Sequence, residues 1–271
     1  MKKTAAKSGI QLKQFIAEAF GISNNKAKDI IDGRNVYVNN RRVWMASHVL
    51  NKGDVVEARE GAEVKSKAGI AVLYEDREHI VINKPAGVAS NEGRGSAEDM
   101  LRKERKDNNI LAAHRLDKNT SGAMLFVKGR AVLERYKKIW KEKQVKKTYL
   151  AVCEGEARFE NRAVDTAVDG REALSHFCRV SSRAGLTLFR INIETGRKHQ
   201  IRIHAASIGY PVAGDSEYGR VEVKNASARS APRQMLHAYK LTFPASGKMV
   251  TITCPLPQDF MDLAKAAGYE G

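Results

Sequence analysis

HRLDKNTSG, running from His114 to Gly122, packs a carboxylate, a guanidinium, two hydroxyls and a turn glycine into one short loop. Asp117 is the residue to explain. It sits beside Arg115, and an aspartate next to a fixed cation stays ionised at neutral pH. Such a group acts as a nucleophile or a charge stabiliser, not as an acid. An aspartate in a turn before glycine more often closes an Asx-turn or caps a helix, so the loop has to be read with its surroundings. Thr120 and Ser121 carry hydroxyls that bond a loop backbone, and Gly122 accepts a dihedral that a side chain would not.

Upstream, 70–74 and 79–83 run apolar like paired strands, with Glu75, Asp76 and Arg77 as the turn between them. NKPAGVAS follows from Asn83 to Ser90, where Pro85 and Gly87 make a rigid bend. Downstream, 129–144 places Val132, Leu133, Tyr136, Ile139 and Trp140 on one helical stripe. Between Lys128 and Lys147 there are nine Lys or Arg and two acids, a run that reads either as a solvated helix face or as a flank for phosphates. Segments 148–153 and 186–194 read as further strands. Strands and helices mix without a regular βαβ rhythm, which favours α+β over a doubly wound parallel sheet. Tyr149 in KKTYLAV and the two arginines and two histidines of GRKHQIRIH, 196–204, are polar elements able to converge with Asp117 on one cleft.

The amino-terminal part has a different texture. Leu12, Phe15, Ile16 and Ala19 recur at helical spacing up to Gly21, a second helix spans about 24–31, and short strands cover 36–38 and 55–58. MKKTAA at the start resembles the charged end of a secretory signal, but no apolar segment follows. The expected division is a basic disordered tail at 1–10, a small domain at 11–60, a linker at 61–70 in GAEVKSKAG and its flanks, and a catalytic domain at 71–271.

The chain has 271 residues and a formal charge of +16, from 47 Lys plus Arg against 31 Asp plus Glu. That field attracts polyanions, with nucleic acid the leading partner. No run of ~18 apolar residues points to a membrane span. Cys153, Cys178 and Cys254 are odd in number and widely spaced, without a CxxC pair. They indicate neither a disulfide framework nor a zinc site, and a cytoplasmic compartment is expected.

In order and roughly in spacing, NKPAG, HRLDKNTSG, KTYLAV, GRKHQIRIH with GYPVAGDSEYG, and LHAYKLTF (236–243) resemble the RluA family of RNA pseudouridine synthases over about 71–260. The related RsuA family has a glycine before the Arg-Leu-Asp, whereas this chain has His114. QLKQFIAEAFGIS, KAKDIIDGRNVYVNN and KGDVV resemble the S-four RNA-binding domain, although Asn24 and Asn25 stand where that family usually has an arginine. The resemblance implies a pseudouridine synthase fold: a central mixed, mainly antiparallel sheet flanked by helices, plus a small amino-terminal RNA-binding domain of the α-L type.

It also implies the chemistry. Uracil N1 leaves ribose carbon 1, the base turns, and the bond is remade through carbon 5. No atoms or electrons are gained, so no cofactor is expected; the chain carries no GxGxxG, Walker loop or convincing metal-ligand cluster. The essential aspartate maps onto Asp117, the active-site tyrosine onto Tyr149 and the basic partner onto Arg202. Whether the carboxylate attacks ribose carbon 1 or assists loss of uracil by taking the proton on carbon 2 stays open. The base must leave its stack, with Arg115 filling the vacancy. Further RNA-facing candidates are His114, for which a loop brace is the favoured role over a phosphate contact, with Arg197, His199, Lys26, Arg34 and Arg41. The expected substrate is structured RNA, ribosomal before transfer RNA, handled by a monomer without membrane association. The competing classes are a non-catalytic RNA-binding or ribosome-assembly factor and a glycosidase. The latter lacks an evident second carboxylate.

Overall fold

The computed structural model describes residues 2–32, 36–43, 45–58, 70–91, 93–219 and 225–270. In chain order its elements are β1 (Lys2–Thr4), β2 (Ile10–Gln11), α1 (Leu12–Phe20), α2 (Asn24–Asp32), β3 (Val36–Val38), β4 (Arg41–Arg42), β5 (Val49–Leu50) and β6 (Val55–Ala58). Then come β7 (Val72–Glu75), β8 (His79–Lys84), α3 (Ala97–Arg105), β9 (Ile110–Ala112), β10 (Ser121–Lys128), α4 (Arg130–Lys141), β11 (Lys146–Glu154), β12 (Asn161–Val164), β13 (Ser175–Arg183) and β14 (Leu186–Ile193). The chain closes with α5 (Gln200–Ser207), α6 (Ala226–Ser230), β15 (Leu236–Ala245), β16 (Lys248–Thr253) and α7 (Gln258–Ala266). Two compact units result, one from 66–212 with 235–271 and the other from 1–65 with 213–234.

The larger unit is built on a ten-stranded sheet in the order β12-β13-β14-β11-β15-β10-β8-β7, with β16 beside β15 and β9 beside β10. Its pairings are antiparallel except for the parallel pair β10 and β15. The sheet is therefore mixed and mainly antiparallel, as the resemblance implies. Strand β10 explains how it is covered. Successive side chains of a strand point to opposite faces, and those of β10 divide between two cores. Met124 and Phe126 join Ile80, Ile82, Ala151 and Phe189 on one face, with Leu101 of α3 and Ile201 and Ala205 of α5 packed there. Ala123, Leu125 and Val127 join Val81, Leu241 and Phe243 on the other, under Val132 and Tyr136 of α4. With both faces covered, the strand reads as a continuous apolar run rather than an alternating one.

The smaller unit packs α1 and α2 with a four-stranded sheet in the order β1-β6-β3-β4. Leu12, Ile16, Ala27, Ile31, Val36 and Val56 fill its core. Gly21 ends α1 in the left-handed region at φ 63°, where its N–H bonds the Ala17 carbonyl, the role its position after the helical stripe predicts.

Two sequence expectations need correction. Lys2–Thr4 is not part of a disordered tail but a strand paired with β6, and Ala5 is buried with backbone bonds to Asp54 (2.8 Å) and Gly53 (2.9 Å). The exposed side chains of Lys2, Lys3 and Thr4 contribute none of this order. It comes from the backbone groups of β6, and composition does not register a free strand edge. The region 71–271 is also not one continuous unit, because 213–234 groups with the amino-terminal residues. Within that unit the Ala46 N–H donates to the Ser216 carbonyl at 3.2 Å, and Lys28 pairs with Glu217 at 3.2 Å. The linker expected at 61–70 lies outside the described residues except for Ile70, which is buried in the core of the larger unit.

Candidate active site

The loop carrying Asp117 enters β10 directly, and its shape is set by backbone bonds. The Asp117 carbonyl accepts from the Thr120 N–H at 3.0 Å, closing a turn. Ser90 Oγ donates to the Leu116 carbonyl at 2.7 Å and accepts from the Leu116 N–H at 2.9 Å. Beneath the next residue, the Lys118 carbonyl accepts from the Gly87 N–H at 2.9 Å and from Lys84 Nζ at 3.1 Å. Lys84 is wholly buried, and its ammonium also donates to the carbonyls of Val88 (2.8 Å) and Pro85 (3.0 Å). Three carbonyl dipoles offset the cost of desolvating the charge. NKPAG is thus more than a rigid bend, since its lysine ties strand β8 to the Asp117 loop.

At the loop's end, Gly122 has φ 120°, and a Cβ there would lie 2.4 Å from the Ala238 carbonyl oxygen. Glycine is required for β10 to approach β15. Beside it Ser121 Oγ meets His237 Nδ1 at 2.9 Å, while His237 Nε2 faces the Cys254 carbonyl at 3.4 Å.

Asp117 itself opens on a cleft of about 650 Å³. Arg202 Nη1 lies 3.3 Å from its Oδ2, and His199 Nε2 lies 3.7 Å from its Oδ1. The Arg202 side chain is 4% exposed and that of Asp117 24%, so the arginine backs the carboxylate from inside the protein. Arg202, the basic partner implied by the resemblance, reaches Asp117 from α5, 85 residues further on, while Arg115 is exposed at the cleft.

The start of α5 is held by a buried polar network. Gln200 Nε2 donates to Ser175 Oγ (3.0 Å) and to the Leu174 carbonyl (3.0 Å), while its Oε1 accepts from Thr195 Oγ1 (2.7 Å) and the Arg197 N–H (3.0 Å). His204 meets Ser175 Oγ through Nδ1 (3.0 Å) and the Thr166 carbonyl through Nε2 (2.8 Å). These bonds fix the left-handed residue His199, φ 56°, that begins the helix, and with it the direction of Arg202.

Tyr149 stands in β11 on the cleft wall, 7% exposed. Burial and the negative charge of Asp117 push its hydroxyl upward, so it remains a protonated phenol at neutral pH. His114 turns into the protein. Its Nε2 accepts from the Leu125 N–H at 3.0 Å, its ring lies 5.3 Å from that of Trp140, and burial together with the charge of Lys147 pushes it down to about 3. That is the position of a brace.

His114, Arg115, Asp117, Tyr149, Arg197, His199 and Arg202 therefore line one cleft. Lys26, exposed in α2, and Arg41, in β4, belong to the other compact unit, and Arg34 lies outside the described residues. The sequence reading missed Lys84, Ser90 and Gln200; a lysine closing the apolar run HIVINK was the available signal. Among the described residues no group of three or more His, Cys, Asp or Glu is placed to hold a metal, and no helix is long and apolar enough to cross a membrane.

A mixed sheet presenting a carboxylate loop to a buried arginine defines the class of fold. A solved human structure, RNA pseudouridylate synthase domain containing 4, shares it with a TM-score of 0.63 at 23% identity, covering 74% of this chain and 94% of that one. The protein family described as RNA pseudouridylate synthase matches residues 78–207. Ribosomal large subunit pseudouridine synthase C of Buchnera aphidicola subsp. Baizongia pistaciae is 31% identical over 72% of this chain and 69% of its own. An RNA pseudouridine synthase of Bacillus subtilis, YhcT, is 28% identical over 95% of this chain and 93% of its own. The chain belongs to the RNA pseudouridine synthase family, whose members are isomerases.

Proposed function

We propose that this protein isomerises uridine to pseudouridine in structured RNA, ribosomal RNA before transfer RNA, with Asp117 as the essential carboxylate. The observation that carries this reading is the pairing of Asp117 with a buried arginine at 3.3 Å on the floor of an open cleft. Arg202 holds the carboxylate in register for the ribose of a flipped nucleotide. Asp117 then attacks carbon 1, to be displaced when the base rebonds, or takes the proton on carbon 2 and returns it; in either route uracil leaves through N1, turns and rebonds through carbon 5, which gives up its hydrogen while N1 gains one. As a protonated phenol, Tyr149 packs on the base rather than serving as a phenolate. Exposed Arg115 occupies the vacated stack, and Arg197 and His199 face the same RNA.

Residues 11–60 act as an RNA-binding module of the S-four kind, in which Lys26, Arg34 and Arg41 meet phosphates without reading sequence. The +16 charge supports an RNA partner, and the ribosomal substrates named for relatives support ribosomal RNA; a cytoplasmic monomer belongs to the same proposal.

Asp117→Asn tests the reading. Wild-type protein is expected to release tritium from RNA labelled at uridine carbon 5, and the variant to lose at least about a thousandfold in rate with RNA affinity and melting temperature unchanged. Release by the variant at the wild-type rate would overturn the role of Asp117. Absence of release by the wild-type protein on every ribosomal and transfer RNA would leave a binding factor.

A further inference from the structure

The cleft contains a cation that the reaction described above does not use. Lys147 lines it from β11, with Nζ 5.1 Å from the centre of the Trp140 ring and 3.4 Å from the Thr195 carbonyl oxygen. Two other cations of the cleft are paired within the protein: Lys143 with Glu194 at 2.9 Å and Arg202 with Asp117 at 3.3 Å. Among the described residues no carboxylate lies within ion-pair distance of Lys147. His114, whose protonation the charge of Lys147 opposes, is neutral. Burial pushes the ammonium down to about 8, so at neutral pH it remains charged while half-buried. A desolvated charge without a counter-ion is costly, and a site that retains one gains from a ligand that brings the anion.

We propose that Lys147 is the anchor for an RNA phosphate next to the flipped uridine, with the indole of Trp140 supporting the side chain. This inference rests on the uridine isomerase reading and names a contact within it. Lys147 and Tyr149 are two residues apart on one strand, so they share a face about 7 Å apart. A uracil lying on Tyr149 brings the phosphate of its own ribose into that range. An ammonium is a compact point charge with three donors, suited to a phosphate oxygen, and one of those donors is committed only to a long bond with Thr195. A neutral uracil carbonyl could accept a hydrogen bond but would leave the charge uncompensated.

The test is made in the Asp117→Asn background, so that binding is read without turnover. The probe is a fluorescein-labelled RNA hairpin with a uridine loop. Adding Lys147→Met, which keeps the stem on Trp140, is expected to weaken binding roughly tenfold at low salt. It should also lower the slope of log affinity against log salt by about 0.7, one single-strand phosphate. Hairpins carrying a neutral methylphosphonate at one loop position at a time supply the second measurement. One position is expected to weaken binding to the protein that keeps Lys147 and to have no further effect on Lys147→Met.

Because Lys147→Met removes an unpaired buried charge, its melting temperature is expected to equal or exceed that of the single variant. An unchanged salt slope, or methylphosphonate losses that are the same in both proteins at every position, would overturn the proposal. Failure of tritium release by wild-type protein would instead overturn the isomerase reading, and it is seen in a separate assay.

Discussion

Two lysines near the Asp117 loop are withdrawn from water and treated in opposite ways. Lys84, beneath the loop, is saturated by three carbonyls at 2.8 to 3.1 Å and has no exposure at all. Lys147, on the cleft wall, has one long carbonyl bond and an aromatic face. The first is a structural cation, consumed in holding the loop to β8. The second keeps its charge available to a ligand. Residue type is the same in the two places, but Lys84 is wholly buried and Lys147 half-buried, and what separates the roles is how completely the protein itself satisfies the group.

The region beneath the loop breaks most severely at Gly122. Gly122→Ala places a Cβ 2.4 Å from the Ala238 carbonyl at a φ of 120°, and neither β10 nor β15 can shift without opening both cores. A loss of more than about 4 kcal/mol is expected, read by chemical denaturation as failure to fold or a large drop in midpoint. Lys84→Met comes next. The aliphatic stem is kept, but the carbonyls of Pro85, Val88 and Lys118 lose the ammonium, at a cost of about 3 kcal/mol. Activity should fall further than stability, because Lys118 adjoins Asp117. A loss of stability with the normal rate per folded molecule would show that the loop keeps its shape without that tie.

The wall is tested by acid. His114 is held at about 3 in the folded protein against an ordinary value of 6.5, so below about pH 6.5 the unfolded chain takes up a proton that the folded one refuses. Its contribution is fully present above that pH and is lost as pH falls from about 6.5 toward 3, amounting to on the order of 2 kcal/mol by about pH 5. His114→Gln retains an acceptor for the Leu125 N–H and does not titrate. It should flatten that part of the stability profile, and an equally steep profile in the variant would remove His114 as its cause.

Much of the site can be read along the chain because the groups that do chemistry sit in short, dense segments. HRLDKNTSG, KTYLAV and GRKHQIRIH each contribute residues to the same cleft, and the stripe of Val132 and Tyr136 predicts the buried face of α4. The helix of GRKHQIRIH was less legible, since its turns are buried nearly all round and no apolar stripe stands out. The buried face of α5 includes Gln200, Arg202 and His204, polar residues that composition would place at the surface. Likewise β1 has no apolar signature, because its order comes from backbone pairing.

By itself the sequence determined the character of this protein: an α+β chain with strong positive charge, one carboxylate loop of unusual chemical density, and strands whose apolar runs mark a covered sheet. Local spacing and hydrophobic burial suffice for these, since both act over a few residues. Only the tertiary structure decided that Arg202 meets Asp117 from a buried position, at 3.3 Å and 4% exposed. It likewise decided that Lys84 is spent on carbonyls while Lys147 is not, and that 213–234 packs with the amino-terminal unit. Those outcomes depend on how close groups far apart in the chain are brought and how much water is left between them. A charge is satisfied by the neighbours the fold supplies, and sequence adjacency does not fix that distance.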